Sequence, residues 1–477
     1  MERMSFLDAE FLAIEDHLAH MHIAGCNIFE GPAPAYDDVL GAVRSALPNL
    51  RRYRQRVKDV PLGLGRPVWV DDPHFNLEYH LRHTALPAPG ADSDLRALVG
   101  RLMSQPLDRQ RPLWELWVVE GLEGGRWALM TKVHHCMVDG VSGADLAYAI
   151  LETERGAGPA IGVSEDDWRP SADPAGLALV LDAWAGLVGD SLRVARKIPG
   201  TLIHPSRFVA GVRRLADGLA MVGRVEGGGG THDSSIDGSI GPHRRYDWCT
   251  VALDDLKAVK DALGGTVNDV VLAAITRGFR ELLLSRGELA DGLELRSLVP
   301  VSMRPRDEHG GAGNRVSALF VRLPVTVEDP AERLAGLRRQ MDEMKESEGA
   351  EAGDLVTNAG DFAPPFLMRL ATQSVLRIMN RGRVRPFDTV TTNVPGPQIP
   401  LYSLGREMIE WLPFVPIAQG MRIGVAILSY NGKVTFGVTG DYDTTPDIAV
   451  LVHGIEEGLR ELQKLAGQAP QGVAPTG

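Results

Sequence analysis

RPLWELWVVEGLEGGRWALMTKVHHCMVDGVSG, residues 111–143, is the stretch on which the reading of this chain turns. Two apolar runs, 113–120 and 126–133, flank a turn-forming segment from Gly121 to Gly125, so a β-hairpin is predicted. Side chains alternate faces along a strand, so His134 and His135 at the end of the second run point to opposite sides. Only one of them can face a given cavity. An imidazole that titrates near neutral pH is the natural general base for a hydroxyl or amine nucleophile. A mononuclear metal site would need a further ligand at helical or hairpin spacing. A nucleophilic role for Cys136 would need an imidazole placed on its thiol, and no spacing supplies one. The bland alternative is a pair of satisfied core histidines at a strand end, with Asp139 and Gly140 making a turn. Spacing alone weighs the two equally.

The chain has 477 residues, too many for one ordinary core, which suggests two domains. A formal net charge of −12 argues against a general nucleic-acid binder. The 3 cysteines, Cys26, Cys136 and Cys249, are odd in number and scattered. They form neither a disulfide framework nor a zinc pattern, and a reducing cytoplasm fits best. The opening MERMSFLDAEFLAIED places acidic residues where a signal peptide needs basic and then apolar ones. No apolar run approaches the roughly 18 residues needed to span a bilayer. The expectation is a protein neither secreted nor transmembrane.

Working outward from the hairpin, residues 1–155 read as a mixed α/β lobe with helical spacing over 37–47, 93–105 and 142–154. Residues 156–245 are rich in Gly, Pro, Ser and Ala and read as a helical and flexible linker. A second α/β lobe is predicted over 246–465, with helices at 253–263, 267–287 and 446–465 and strands at 294–303, 315–325 and 387–396. Asn431-Gly432 between two apolar runs predicts a type I′ hairpin. Residues 466–477 read as a disordered tail. In TVND, Thr266 is placed to cap the following helix and Asn268 to sit in its first turn. A polar amide beside the positive end of a helix could hold a developing oxyanion. The alternative is that Asn268 and Asp269 only finish the cap.

HHCMVDG matches the HHxxxDG signature of the CoA-dependent acyltransferase superfamily at all four specified positions. PLW at 112–114, ND at 268–269, PVSMRP at 300–305, GNRVSALFVRLP at 313–324 and TNVPGP at 392–397 narrow the match. In this order and spacing the chain resembles the bacterial wax ester synthase/diacylglycerol acyltransferase family, from about residue 5 to 465. SFLDAEFLAIED and GLGRPVWVDDPHFNLEYHLR add to the likeness.

The resemblance implies two chloramphenicol-acetyltransferase-like lobes, mixed sheets flanked by helices, with an active-site tunnel between them. It implies transfer of a long-chain acyl group from acyl-CoA to a lipid hydroxyl, giving triacylglycerol from diacylglycerol, wax esters from fatty alcohols, or both. His135, the second motif histidine, would be the general base, with no acyl-enzyme, no metal and no cofactor beyond acyl-CoA as co-substrate. His134 would support the loop. Asp139 would turn away and pair with an arginine, Arg54 by position, although Tyr53 stands where leucine is usual and leaves Arg56 open. Gly140 would allow close backbone approach. The resemblance favours a role in activity for Asn268, as oxyanion holder or positioner, and Trp114 reads as core.

Amphiphilic substrates imply a cytoplasmic enzyme bound peripherally to the inner membrane face or to lipid inclusions. Residues 191–224, with seven Arg or Lys against one Asp, suit a helix on an anionic lipid surface, or an ordinary solvated helix. Other readings are a condensation-type enzyme using carrier-protein thioesters, and a non-catalytic protein of lipid inclusions.

Overall fold

The structure, a computed structural model, describes residues 2–137, 145–156, 168–182, 185, 234–302, 316–348 and 387–468. In chain order the strands of the first half are β1 (Glu2–Arg3), β2 (His22–Phe29), β3 (Gln55–Lys58), β4 (Val68–Asp71), β5 (Leu81–Ala85), β6 (Trp114–Glu120) and β7 (Trp127–His134). Those of the second half are β8 (Arg244–Ala252), β9 (Leu295–Ser302), β10 (Val316–Leu323), β11 (Thr389–Pro395), β12 (Tyr402–Ser403), β13 (Arg406–Phe414), β14 (Ile423–Tyr430) and β15 (Lys433–Asp441). They form a first sheet in the order β12-β13-β2-β7-β6-β5, a second in the order β10-β9-β11-β14-β15-β8, and a small one in the order β1-β4-β3.

The predicted hairpin forms as β6 and β7, paired antiparallel from Trp114↔Val133 to Val119↔Ala128. The parallel pair β5–β6 needs a crossover, which the helix Asp92–Met103 supplies. In the second sheet, Tyr430↔Lys433 closes β14 on β15 across a two-residue loop. Asn431 and Gly432 there take φ of 43° and 75°, the twist that the Asn-Gly pair was read to provide. The second core lies between this sheet and the helices Val267–Ser285 and Ile448–Gln468.

Several expectations shift. The helix predicted over 142–154 ends at Ala149, because Glu152 pairs its backbone with Tyr402 at 2.7 and 2.8 Å. The last helix runs to Gln468, past the 465 boundary. Part of the segment read as linker is packed. Leu179 is buried among Val60, Val68 and Val70, and Asp173 pairs with Arg56 and Lys58 at 3.1 and 2.8 Å.

The largest departure concerns β13. It belongs by sequence to the second half, yet it pairs with β2 in the first sheet, from Met408↔Phe29 to Phe414↔Ala24. Trp411 lies against Gly25, and the Tyr246 hydroxyl donates to the Pro413 carbonyl at 2.9 Å. The second half therefore completes the sheet that carries the histidine pair.

Candidate active site

β2 and β7 run antiparallel with His22 opposite His134. The ladder continues one step further, where the His135 N–H donates to the Met21 carbonyl at 2.8 Å. Beyond that bond the chain leaves the strand in a single 3-10 turn, His135–Met137. The His134 side chain is fully buried, and its Nδ1 accepts the Cys136 N–H at 3.1 Å. A nitrogen that accepts carries no proton, so the proton sits on Nε2, which lies 3.5 Å from Glu15 Oε1. His134 thus holds the turn from beneath.

His135 emerges on the other side, half-buried, with its ring stacked on Phe11 at a centroid distance of 3.9 Å. Burial pushes its pKa down to about 4; its own main-chain carbonyl opposes that shift and His134 adds to it. The imidazole is therefore neutral at physiological pH and carries a lone pair able to take a proton. Among the described residues its Nδ1 has no hydrogen-bond partner. Phe11 comes from the helix Phe6–Ile14, whose N-terminus is capped by Ser5 through the Asp8 N–H at 3.1 Å.

The segment from this helix to β2 is clamped against the second sheet. Ala19 and Met21 are buried in one cluster with Val390, Val415, Ile417 and Ala426. The Arg244 guanidinium, at the start of β8, donates to the Leu18 carbonyl from the same side. Met21 therefore ties the His135 backbone to the junction of the two sheets. β11 contributes Val390 to that junction and carries Asn393 near its exposed end. The Asn393 amide donates to Asn268 Oδ1 at 3.3 Å. Asn268 sits in the first turn of the helix Val267–Ser285, but the capping box is completed without it. Thr266 Oγ1 accepts the Asp269 N–H at 3.3 Å, and Asp269 Oδ2 accepts the Thr266 N–H at 2.7 Å. With Oδ1 accepting, the Asn268 NH₂ group remains as a donor.

Arg54 is buried, 5.0 Å over the Trp168 ring, whereas Arg56 is engaged by Asp173. Asp139 and Gly140 lie outside the described residues, as does the basic stretch 191–224. Trp114 is fully buried, donates its indole N–H to the Tyr53 carbonyl at 2.8 Å and stacks on His80. Sequence reasoning missed Phe11, Glu15 and Asn393. Phe11 and Glu15 lie four residues apart in SFLDAEFLAIED, a spacing that puts both on one helical face, and that was the available signal.

Among the described residues, no group of three or more His, Cys, Asp or Glu could hold a metal ion, and no helix is long and apolar enough to cross a membrane. Comparison with known proteins gives a consistent picture. The family model described as "Wax ester synthase/diacylglycerol acyltransferase catalytic domain" matches residues 4–271, and "WS/DGAT C-terminal domain" matches 312–463. A Mycobacterium tuberculosis protein named "Probable diacyglycerol O-acyltransferase tgs1" is 35% identical over 471 residues, covering 97% of this chain and 96% of its own. The solved wax ester synthase/diacylglycerol acyltransferase from Marinobacter aquaeolei VT8 superposes with a TM-score of 0.68 at 27% identity, covering 98% of this chain and 100% of that one. The first condensation domain of the CDA synthetase shares the fold, with a TM-score of 0.55 at 17% identity, covering 98% of this chain and 96% of that one.

Proposed function

Because the chain belongs to the wax ester synthase/diacylglycerol acyltransferase family and is an acyltransferase, we propose that it moves a long-chain acyl group from acyl-CoA to the hydroxyl of diacylglycerol or a fatty alcohol, with His135 as general base. The observation that carries this reading is the state of His135. It is neutral, stacked and fixed through its backbone, while its neighbour His134 is fully buried beneath the turn, with Nδ1 accepting the Cys136 N–H.

In the proposed step His135 takes the hydroxyl proton as the alcohol oxygen attacks the thioester carbonyl. The tetrahedral intermediate collapses to the ester and CoA thiolate, and the thiolate takes the proton from the imidazolium. Atoms balance without an acyl-enzyme. A free alcohol is too weak an acid to ionise beforehand, so a placed base is worth about 10² to 10⁴ in rate. Asn268 is the proposed donor to the oxyanion, through the NH₂ group that its bond from Asn393 leaves available. Arg54 is the proposed partner of Asp139, since it is buried and Arg56 is already paired. Lipid substrates imply that the protein works at a membrane or lipid-inclusion surface, to which it would bind peripherally.

The test is CoA release from palmitoyl-CoA with hexadecanol, monoacylglycerol and diacylglycerol offered in parallel. Turnover with any of them that disappears in a folded His135→Ala variant supports the mechanism. Full activity in that variant removes His135 as base. A wild-type protein inert with every lipid acceptor but active on a carrier-protein thioester would replace the lipid reading with the condensation one.

A further inference from the structure

His135 is held in three ways, and each leads to the same carboxylate. Its N–H bonds the Met21 carbonyl at 2.8 Å, its ring stacks on Phe11, and the turn that displays it hangs on the Cys136 N–H bond to His134. Glu15 Oε1 accepts the Met21 N–H at 3.3 Å and lies 3.5 Å from His134 Nε2. Its own N–H, at the C-terminus of the helix that carries Phe11, donates to the Phe11 carbonyl at 3.3 Å. The second oxygen, Oε2, lies 3.1 Å from Arg109 Nε. Arg109 also donates to the Leu12 carbonyl at 2.7 Å, which anchors the carboxylate and its helix together.

We propose that Glu15 is a positioning residue for the transfer reaction, a single carboxylate that aligns the backbone, the ring contact and the supporting turn of His135. The inference rests on the acyl-transfer reading of His135. The electrostatics agree with the geometry. Burial alone would raise the Glu15 pKa, but the hydrogen bond and charge of His134, the Arg109 charge and the Met21 N–H together hold it below the usual range. The carboxylate is thus ionised and acts only as an acceptor, matching the proton that the Cys136 contact places on His134 Nε2. Glu15 touches no reacting atom, so its removal should misalign the base and leave acyl-CoA binding intact. A misplacement of about 1 Å can cost about 10² in rate.

Three substitutions separate alignment from simple ion pairing with Arg109. Glu15→Gln keeps an acceptor oxygen at full reach and loses the charge. Glu15→Asp keeps the charge and loses a methylene of reach. Glu15→Ala loses both. Alignment requires kcat in the order Gln above Asp, with Ala at least about tenfold below wild type and KM for palmitoyl-CoA within about twofold throughout. Amide hydrogen exchange at His135 and Cys136 should quicken by about tenfold in Asp and Ala and stay near wild type in Gln. Asp outperforming Gln, or kcat and both amides unchanged in Asp and Ala, overturns the proposal. The Gln and Asp arms decide it even where Ala does not fold. If the wild-type chain releases no CoA with any acceptor, the acyl-transfer reading has failed, and the exchange rates still report on Glu15.

Discussion

The Phe11 ring lies over the His135 imidazole, 3.9 Å between centroids and 20° from parallel. That contact supplies part of the burial that keeps the imidazole neutral. Phe11→Ala should therefore expose His135, raise its pKa toward the ordinary histidine value and lower kcat. About tenfold is expected from looser placement of the proposed base. Steady-state rates and a histidine titration followed by NMR check both parts.

The same depressed pKa predicts the pH profile of the wild-type enzyme under the proposed mechanism. With His135 as the proposed base, protonation removes it, so kcat/KM should be level through neutral pH and fall only as pH drops toward about 4, the value to which burial pushes His135. An ordinary histidine would lose activity about two units earlier. A profile with its acid limb at the ordinary histidine value would contradict the buried, stacked geometry.

Stability should respond to acid through several histidines at once. His80 lies between Trp114 and Phe75, with Nδ1 2.8 Å from the Trp114 carbonyl, and burial lowers its pKa to about 4. His22 is pushed well below its ordinary 6.5 by burial. The unfolded chain takes up these protons near 6.5, whereas the folded one resists until far lower, so stability is whole above that pH and declines as pH falls below it. Urea midpoints measured at pH 7 and pH 5 should differ accordingly. His80→Phe, which keeps the stack, should make the dependence shallower.

The seam between the halves is sterically tight at Gly437. A Cβ there would stand 2.0 Å from the Pro413 carbonyl oxygen and 2.8 Å from the Tyr246 hydroxyl. Gly437→Ala should push β13 away from β15 and destabilise by about 1–3 kcal/mol. Chemical denaturation checks it, and Gly432→Ala, at the open turn, serves as a comparison with strain but no clash.

Asn268 and Asp269 are adjacent in the chain, but only Asp269 takes part in the capping box. Asn268→Ala should lower kcat by about 10² to 10³ if its NH₂ group meets the oxyanion. Asn393→Ala, which frees that amide to rotate, should lower the same parameter by less. Asp269→Ala breaks the capping box and should cost about 0.5–2 kcal/mol of stability. Equal effects of all three on stability alone would assign the whole motif to capping.

Much of the fold was legible because it follows from local pattern. The alternation and central glycines of 113–133 specify one hairpin, and Asn431-Gly432 specifies another. The TVND box starts its helix at Val267 as read. β13 was not legible. REMIEWLPF has no turn signal assigning it to either sheet, and its partner β2 lies nearly 400 residues upstream.

By itself the sequence determined that His134 and His135 end a strand on opposite faces, because the period of a strand is two wherever the strand lies. It also determined the family, because spaced motifs survive in the linear order of residues. Only tertiary structure decided how His135 is held. Phe11, Glu15 and Met21 lie more than 110 residues away in the chain, and contacts at that separation form only when sheet pairing brings β2 beside β7. Burial, and with it the neutral state of His135, is a property of that assembled environment and of no local stretch of chain.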